Sequence, residues 1–366
     1  MTGSPYHADF LSAGFRAKNA QILFRTYIMS VKIRLGYACI NTYLRGRHIF
    51  TGRTTRQETL KKEGIQYAQD LLKQNLEDML KILQWNEKNK IRLYRVSSEI
   101  APHITNPYFI PKKDLRNPRV FAYSLEPVRK LLKQIGNYAK KHGHRLTFHP
   151  GQFNVLGSPD HDVVIRTTRE LYFHAKFFDM MGLDNNSVMV IHGGGLYGDK
   201  IAAMRRWVTN FNKLPLNIKR RLVLENDETC YSIEDVLAIS KNLRKFPGSG
   251  AKYKIPIVFD IFHYFCYNIT IVRRRQDGIE QILDQKPMEE LFPAIIESWK
   301  GRRIKMHISE QGRGPLGKHS YYIKQIPKLL LDFRRKYNCK LDLMVEAKGK
   351  EQAVIRMRKK YPKFTK

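Results

Sequence analysis

The chain has 366 residues, 42% of them hydrophobic, enough to bury the core of one large α/β domain or of two smaller ones. Its 66 Lys and Arg against 33 Asp and Glu leave a formal net charge of +33, which favours a polyanionic partner because neutralised phosphates release counterions. No apolar run reaches the length of a membrane span. The four cysteines, Cys39, Cys230, Cys266 and Cys339, are scattered without a Cys-x-x-Cys pair, which argues against a disulfide framework or a zinc knuckle and for a reducing, intracellular setting.

Residues 1–30 carry one acid, Asp9, among basic, aromatic and small residues: an N-terminal extension, disordered, helical or targeting. A first strand is predicted over 31–38, then a loop through Asn41 and Tyr43. Over 55–85, Ile65, Ala68, Leu72, Leu76 and Met79 recur at helical spacing. A strand over 91–96 is followed by a proline-punctuated loop, 101–123, with Lys112, Lys113, Arg116 and Arg119; loops of that length are usually functional or disordered. A helix over 124–141 leads to a strand ending at His149.

Helices are expected over 160–181, 199–211 and 232–243, each followed by a strand: 188–192, 221–225 and 255–260. An irregular basic stretch with Arg273-Arg274-Arg275 follows, then a helix over 288–299 and a strand over 303–307. A basic glycine loop over 310–318, a helix over 319–337, a strand over 341–346 and a final helix complete the chain. Eight strand-then-helix units predict an α/β fold, a single (β/α)8 TIM barrel over 31–360 with a basic tail at 361–366. An open doubly wound sheet is the alternative. Gly193-Gly194-Gly195 does little for it, because the dinucleotide fingerprint spacing is missing.

Six predicted strands end on a residue able to ligate a metal: His149, His192, Glu225, Asp260, His307 and Glu346. Each alone has an ordinary explanation, since a strand-end His is more often hydrogen-bonded within the fold and a strand-end carboxylate often caps a helix. Six together on one barrel rim are not explained by capping, because buried imidazoles and carboxylates need a partner. His263 and His319 extend the set to more donors than one ion takes. Nitrogen and oxygen donors without thiolate suit Mn²⁺ or Zn²⁺, and Glu225 could bridge two ions. Metals about 4 Å apart activate a water and stabilise the leaving oxygen of a phosphoryl displacement. With the cationic charge, this points to phosphodiester hydrolysis.

The ordered blocks Arg34-Leu35-Gly36-Tyr37 with Asn41, Arg95-Val96-Ser97-Ser98, His149-Pro150-Gly151-Gln152-Phe153, His192-Gly193-Gly194, Leu224-Glu225-Asn226-Asp227, Asp260 with His263, Lys305-Met306-His307 and Glu346-Ala347-Lys348-Gly349 resemble the UV-damage endonuclease family, relatives of endonuclease IV, over about residues 31–355. The resemblance implies incision of double-stranded damaged DNA immediately 5′ to cyclobutane pyrimidine dimers and 6-4 photoproducts, with abasic sites as lesser substrates. It implies three metal positions, filled by two or three divalent ions per chain: His149, His192 and Glu225 on one, Glu225, Asp260, His319 and Glu346 on a second, and His263, Lys305 and His307 on a third. Glu225, Lys305 and Glu346 would be the catalytic residues. An ammonium cannot ligate a metal; the family's matching lysine is carboxylated by CO2, which would make Lys305 an oxygen donor.

The same resemblance makes Gln152 and Phe153 lesion probes and places Tyr37 and Asn41 at the lesion pocket. Relatives typically carry Tyr beside the Gln; Phe153 keeps the ring and loses the hydroxyl. Basic residues at 112–119 and 273–275, and Lys318, are candidate phosphate contacts. A monomer is expected, and no membrane partner. The alternatives are an apurinic/apyrimidinic endonuclease of the endonuclease IV type, or a metal-dependent sugar isomerase.

Overall fold

Eight parallel strands form one sheet in the order β3-β2-β1-β8-β7-β6-β5-β4, in a computed structural model that describes residues 33–243, 254–276 and 285–365. The strands are β1 Arg34–Ala38, β2 Leu93–Arg95, β3 Arg145–Thr147, β4 Met189–His192, β5 Leu222–Glu225, β6 Ile257–Asp260, β7 Ile304–Ile308 and β8 Leu341–Val345. The two ends of that order meet. Phe148 bridges Met189 in parallel, donating from its N to the Val188 carbonyl (2.9 Å) and accepting from the Val190 N (3.0 Å). The sheet thus closes on itself, and the expected single TIM barrel is the observed architecture.

The strands read as aliphatic runs because helices cover the outside while the barrel's own core fills the inside; β5, β6, β7 and β8 are buried along their whole length. Among the described residues, no helix is long and apolar enough to cross a membrane. The expected extension at 1–30 lies outside the described residues.

Four stretches differ from expectation. The helix expected over 55–85 is two, Gln57–Glu63 and Ile65–Lys88, broken at Gly64, whose φ of +81° a helix cannot accommodate. The stretch expected to be irregular after Asp260 is instead a helix, Ile261–Gln276. Its β-branched and aromatic residues are weak helix formers, but Asp260 Oδ1 accepts from the N of Phe262 (2.7 Å) and of His263 (2.9 Å), capping the first turn. The helix expected over 319–337 is confined to Lys328–Tyr337. Before Pro327 the backbone bonds outward, with Ser320 N donating to the Glu310 carbonyl (2.8 Å) and Gly349 N to the Tyr321 carbonyl (2.8 Å). The end of the chain, expected as a separate basic tail, turns back onto the barrel: Thr365 is buried and bridges Ile33, whose N donates to the Phe364 carbonyl at 2.8 Å.

Candidate metal centre

Parallel strands bring all their C-terminal ends to one rim, and Glu225 at the end of β5 sits at the middle of it, fully buried. Its Oε2 lies 2.9 Å from His149 Nε2 and 3.3 Å from His192 Nε2, and these two imidazole nitrogens are 3.3 Å apart. Its Oε1 faces His307 Nδ1 at 2.5 Å and His263 Nδ1 at 3.9 Å. Asp260 Oδ2 is 3.9 Å from the Nδ1 of both His263 and His307. Glu346 completes the rim, with Oε1 3.2 Å from His307 Nδ1 and Oε2 4.0 Å from His319 Nδ1.

The donors fit a metal. Glu225 Oε1, Asp260 Oδ2 and His307 Nδ1 are buried without a hydrogen-bond partner among the described residues. The 2.5 Å approach of His307 to Glu225 is a close contact lacking hydrogen-bond geometry. Unpaired polar atoms crowded together in the interior are costly, and a divalent cation removes that cost by taking lone pairs from imidazole and carboxylate alike. Ligand atoms lie within 4.8 Å of one another in four groups: His149 with His192 and Glu225; Glu225 with Asp260 and His263; Asp260 with His307 and Glu346; and His192 with Glu228 and His263. The first group matches the set implied by the resemblance. The others divide the residues differently, bringing His263 to Glu225 and Asp260, and His307 to Asp260 and Glu346.

Glu228 was not anticipated. Its Oε2 is 3.7 Å from His263 Nε2, and the available signal was a third acid after Glu225-Asn226-Asp227. Asp227 between them is used by its own turn, accepting from the backbone N of Thr229 (2.9 Å), Cys230 and Tyr231 (3.1 Å). Asn226 ties the ends of β5 and β6 together, donating from Nδ2 to the Asp260 carbonyl (3.0 Å) and accepting at Oδ1 from the Asp260 N (2.9 Å). Arg95 at the end of β2 was likewise missed: its Nη1 donates to Glu346 Oε1 at 2.5 Å.

Burial resists ionisation of Glu225, but His307 and the hydrogen bonds from His149 and His192 outweigh it and hold the carboxyl well below the usual range. Glu346 is held low in the same way, burial being overcome by Arg95 and His307. Burial pushes His149 down to about 4 despite Glu225, so at neutral pH it is the neutral imidazole that ligation requires. His263 goes the other way: burial is overcome by Asp260, Glu225, Glu228 and Glu346, and it rises to about 10. Lys305 is fully buried in contact with His307 Nε2. Burial lowers it to about 7, with Arg95 and Arg145 adding to the effect against Glu225 and Glu346.

Gln152 and Phe153 follow β3 on the same rim, in the turn after His149; both are exposed, the Phe153 ring 83% so. Tyr37 and Asn41 lie elsewhere than expected, in the interior. Tyr37 is 0% exposed and donates to Asn86 Oδ1 (2.7 Å), while Asn41 donates to the Tyr37 oxygen (3.0 Å) and caps the short helix Thr42–Arg45. They hold the corner after β1 and present nothing to a ligand. Lys112, Lys113, Arg116, Arg119, Arg273 and Lys318 are exposed; the side chains of Arg274 and Arg275 lie outside the described residues.

Fold and rim together define a class: a TIM barrel whose catalytic face carries clustered imidazoles and carboxylates able to hold metal ions. The family model of the UV-endonuclease UvdE matches residues 33–366, and the chain belongs to that family. A candidate UV-damage endonuclease of Acanthamoeba polyphaga mimivirus is 39% identical over 334 residues, covering 90% of this chain and 91% of the relative. The UV-damage endonuclease of Schizosaccharomyces pombe is 33% identical over 336 residues, covering 90% of this chain and 50% of the relative, so the chain spans half of that protein's length. Among solved structures, SacUVDE superposes with a TM-score of 0.70 at 27% identity over 90% of this chain and 98% of that one.

Proposed function

We propose that this protein is a DNA-repair endonuclease that nicks double-stranded DNA immediately 5′ to UV photoproducts, cyclobutane pyrimidine dimers and 6-4 photoproducts, with two or three divalent cations, Mn²⁺ before Zn²⁺. The reading is supported by the family, by the relatives' names and by the charge of +33. The observation that carries it is Glu225, whose two oxygens face different histidine groups and leave a buried acceptor unpaired. Bound there, the cations would supply Lewis acidity and charge neutralisation to the scissile phosphate.

The chain's own residues do the rest. His149, His192 and Glu225 hold one cation; Asp260, His263, His307 and Glu346 hold the others beside Glu225, with His319 and Glu228 at the margin. Arg95 keeps Glu346 oriented and ionised. Lys305 joins the ligands as a carbamate: its neutral amine adds to CO2 and loses one proton, turning a cation into an oxygen donor. A photodimer stacks poorly and leaves the duplex cheaply, and Gln152 with Phe153 fills the gap. The exposed basic residues grip phosphates without reading sequence.

The test is a Mn²⁺ reaction on an end-labelled duplex with one defined thymine dimer, beside undamaged and abasic duplexes. A single cut immediately 5′ to the dimer is expected. Cutting of the abasic duplex alone would replace the reading with an apurinic/apyrimidinic endonuclease, and equal cutting of undamaged DNA would remove lesion recognition from it.

A further inference from the structure

The opposite rim, where the strands begin, buries a second charged cluster that the nuclease reading does not use. Asp342 in β8 is 0% exposed. Three guanidiniums converge on it: Arg34 Nε at 3.0 Å, Arg145 Nη1 at 2.9 Å and Arg303 Nε in closer contact. Three guanidiniums thus share this one carboxylate. Arg145, at the start of β3, is the most deeply placed of the three, and its Nη2 is buried without a hydrogen-bond partner among the described residues. Burial lowers the pKa of both Arg34 and Arg145 despite Asp342, and the neighbouring arginines add to the effect.

These arginines line a cleft of about 800 Å³. Among the described residues, seven of the 15 that line it are Lys or Arg, and Asp184 is the one carboxylate. Asp184 is turned to its own loop, accepting from Asn186 N (2.9 Å) and Asn186 Nδ2 (2.8 Å). Exposed Lys140 and Lys340 stand at the edge.

We propose that this cleft is a binding site for a di- or triphosphate group, inorganic or carried by a nucleotide. Guanidinium forks match oxyanions in pairs, and several cations around one concavity select a compact, multiply charged ligand over a monovalent one. The volume is that of a small-molecule site, and it lies at the end of the barrel away from the metal cluster. The inference does not rest on the nuclease reading. A ligand that binds here only when Asp342, Arg145 and Arg303 are brought together, as they are in the folded barrel, stabilises that state by mass action.

The experiment is equilibrium dialysis and thermal unfolding of the full chain with inorganic tripolyphosphate or ADP, without added divalent cation and at matched ionic strength. Saturable binding of one ligand per chain and a rise in Tm are expected from tripolyphosphate; ADP binding as well would place nucleotides within the site's range. Lys140→Glu with Lys340→Glu, at exposed positions that leave the fold alone, should weaken binding about tenfold or more, and Arg145→Gln should do the same. A duplex oligonucleotide should not displace the probe. Unsaturable binding, binding unchanged in the Lys140/Lys340 variant, or displacement by the duplex would overturn the proposal.

Discussion

The two rims of the barrel bury charge in opposite proportions. Where the strands begin, three arginines surround Asp342, and both of its carboxylate oxygens accept hydrogen bonds from them. Where the strands end, Glu225, Asp260 and Glu346 gather with one guanidinium, Arg95, and two of the three acids keep a buried oxygen without a partner. The first cluster satisfies its acid from within the protein; the second leaves buried oxygens that a cation from outside could take. Buried ions are costly unless they are paired or hold a metal. The larger share of folding stability should therefore rest on the first cluster, and metal-linked activity on the second.

The sharpest break in that comparison is Glu225→Gln, which should lower dimer nicking by about 10³-fold or more and lose bound metal while the fold persists. Single-turnover nicking and elemental analysis check it; full metal content with full activity would refute the central place of Glu225.

Asp342→Asn should leave metal content alone and destabilise the protein by about 3–5 kcal/mol, because it leaves guanidiniums buried without their anion; denaturant unfolding reads this. The pH dependence has a definite sign. The arginines overcome burial and hold Asp342 below its ordinary value, so its contribution is whole above the unfolded value near ~3.9 and is lost as pH falls below that. The gap between wild type and Asp342→Asn should close in acid.

Stripping metal with a chelator should lower the stability of the wild type by about 2.7 kcal/mol relative to protein held at a hundredfold excess over Kd, measured as a shift in unfolding. The same treatment should do little to Glu225→Gln. The smallest effect belongs to the exposed probes: Gln152→Ala and Phe153→Ala should each reduce the preference for dimer over undamaged duplex by about tenfold, the scale of one lost base-stacking contact, with metal content unchanged. Loss of metal in either would move that residue into the rim's scaffold.

Much of the architecture was legible because its signals are local. Apolar runs ending on His149, His192, Glu225, Asp260, His307 and Glu346 marked both the strands and the rim, since a parallel barrel needs continuous aliphatic strands and collects their ends on one face. The helix Ile261–Gln276 was hidden because its composition argues against it and its cap, Asp260, read as a ligand; Asp260 does offer one oxygen to each. Gln152 and Phe153 stayed in the open, but the corner residues Tyr37 and Asn41 turned inward, and nothing in a short motif tells those two fates apart.

By itself, then, the sequence determined the number and order of strands, the kinds of donor at their tips and the cationic excess, all set by neighbouring residues or by composition. Which atoms meet was decided only when the barrel closed through Phe148 and Met189. That closure sets His149 against Glu225, 76 positions away, and Arg145 against Asp342, 197 away. Distances between such partners follow from strand register and closure, which no local pattern of side chains encodes.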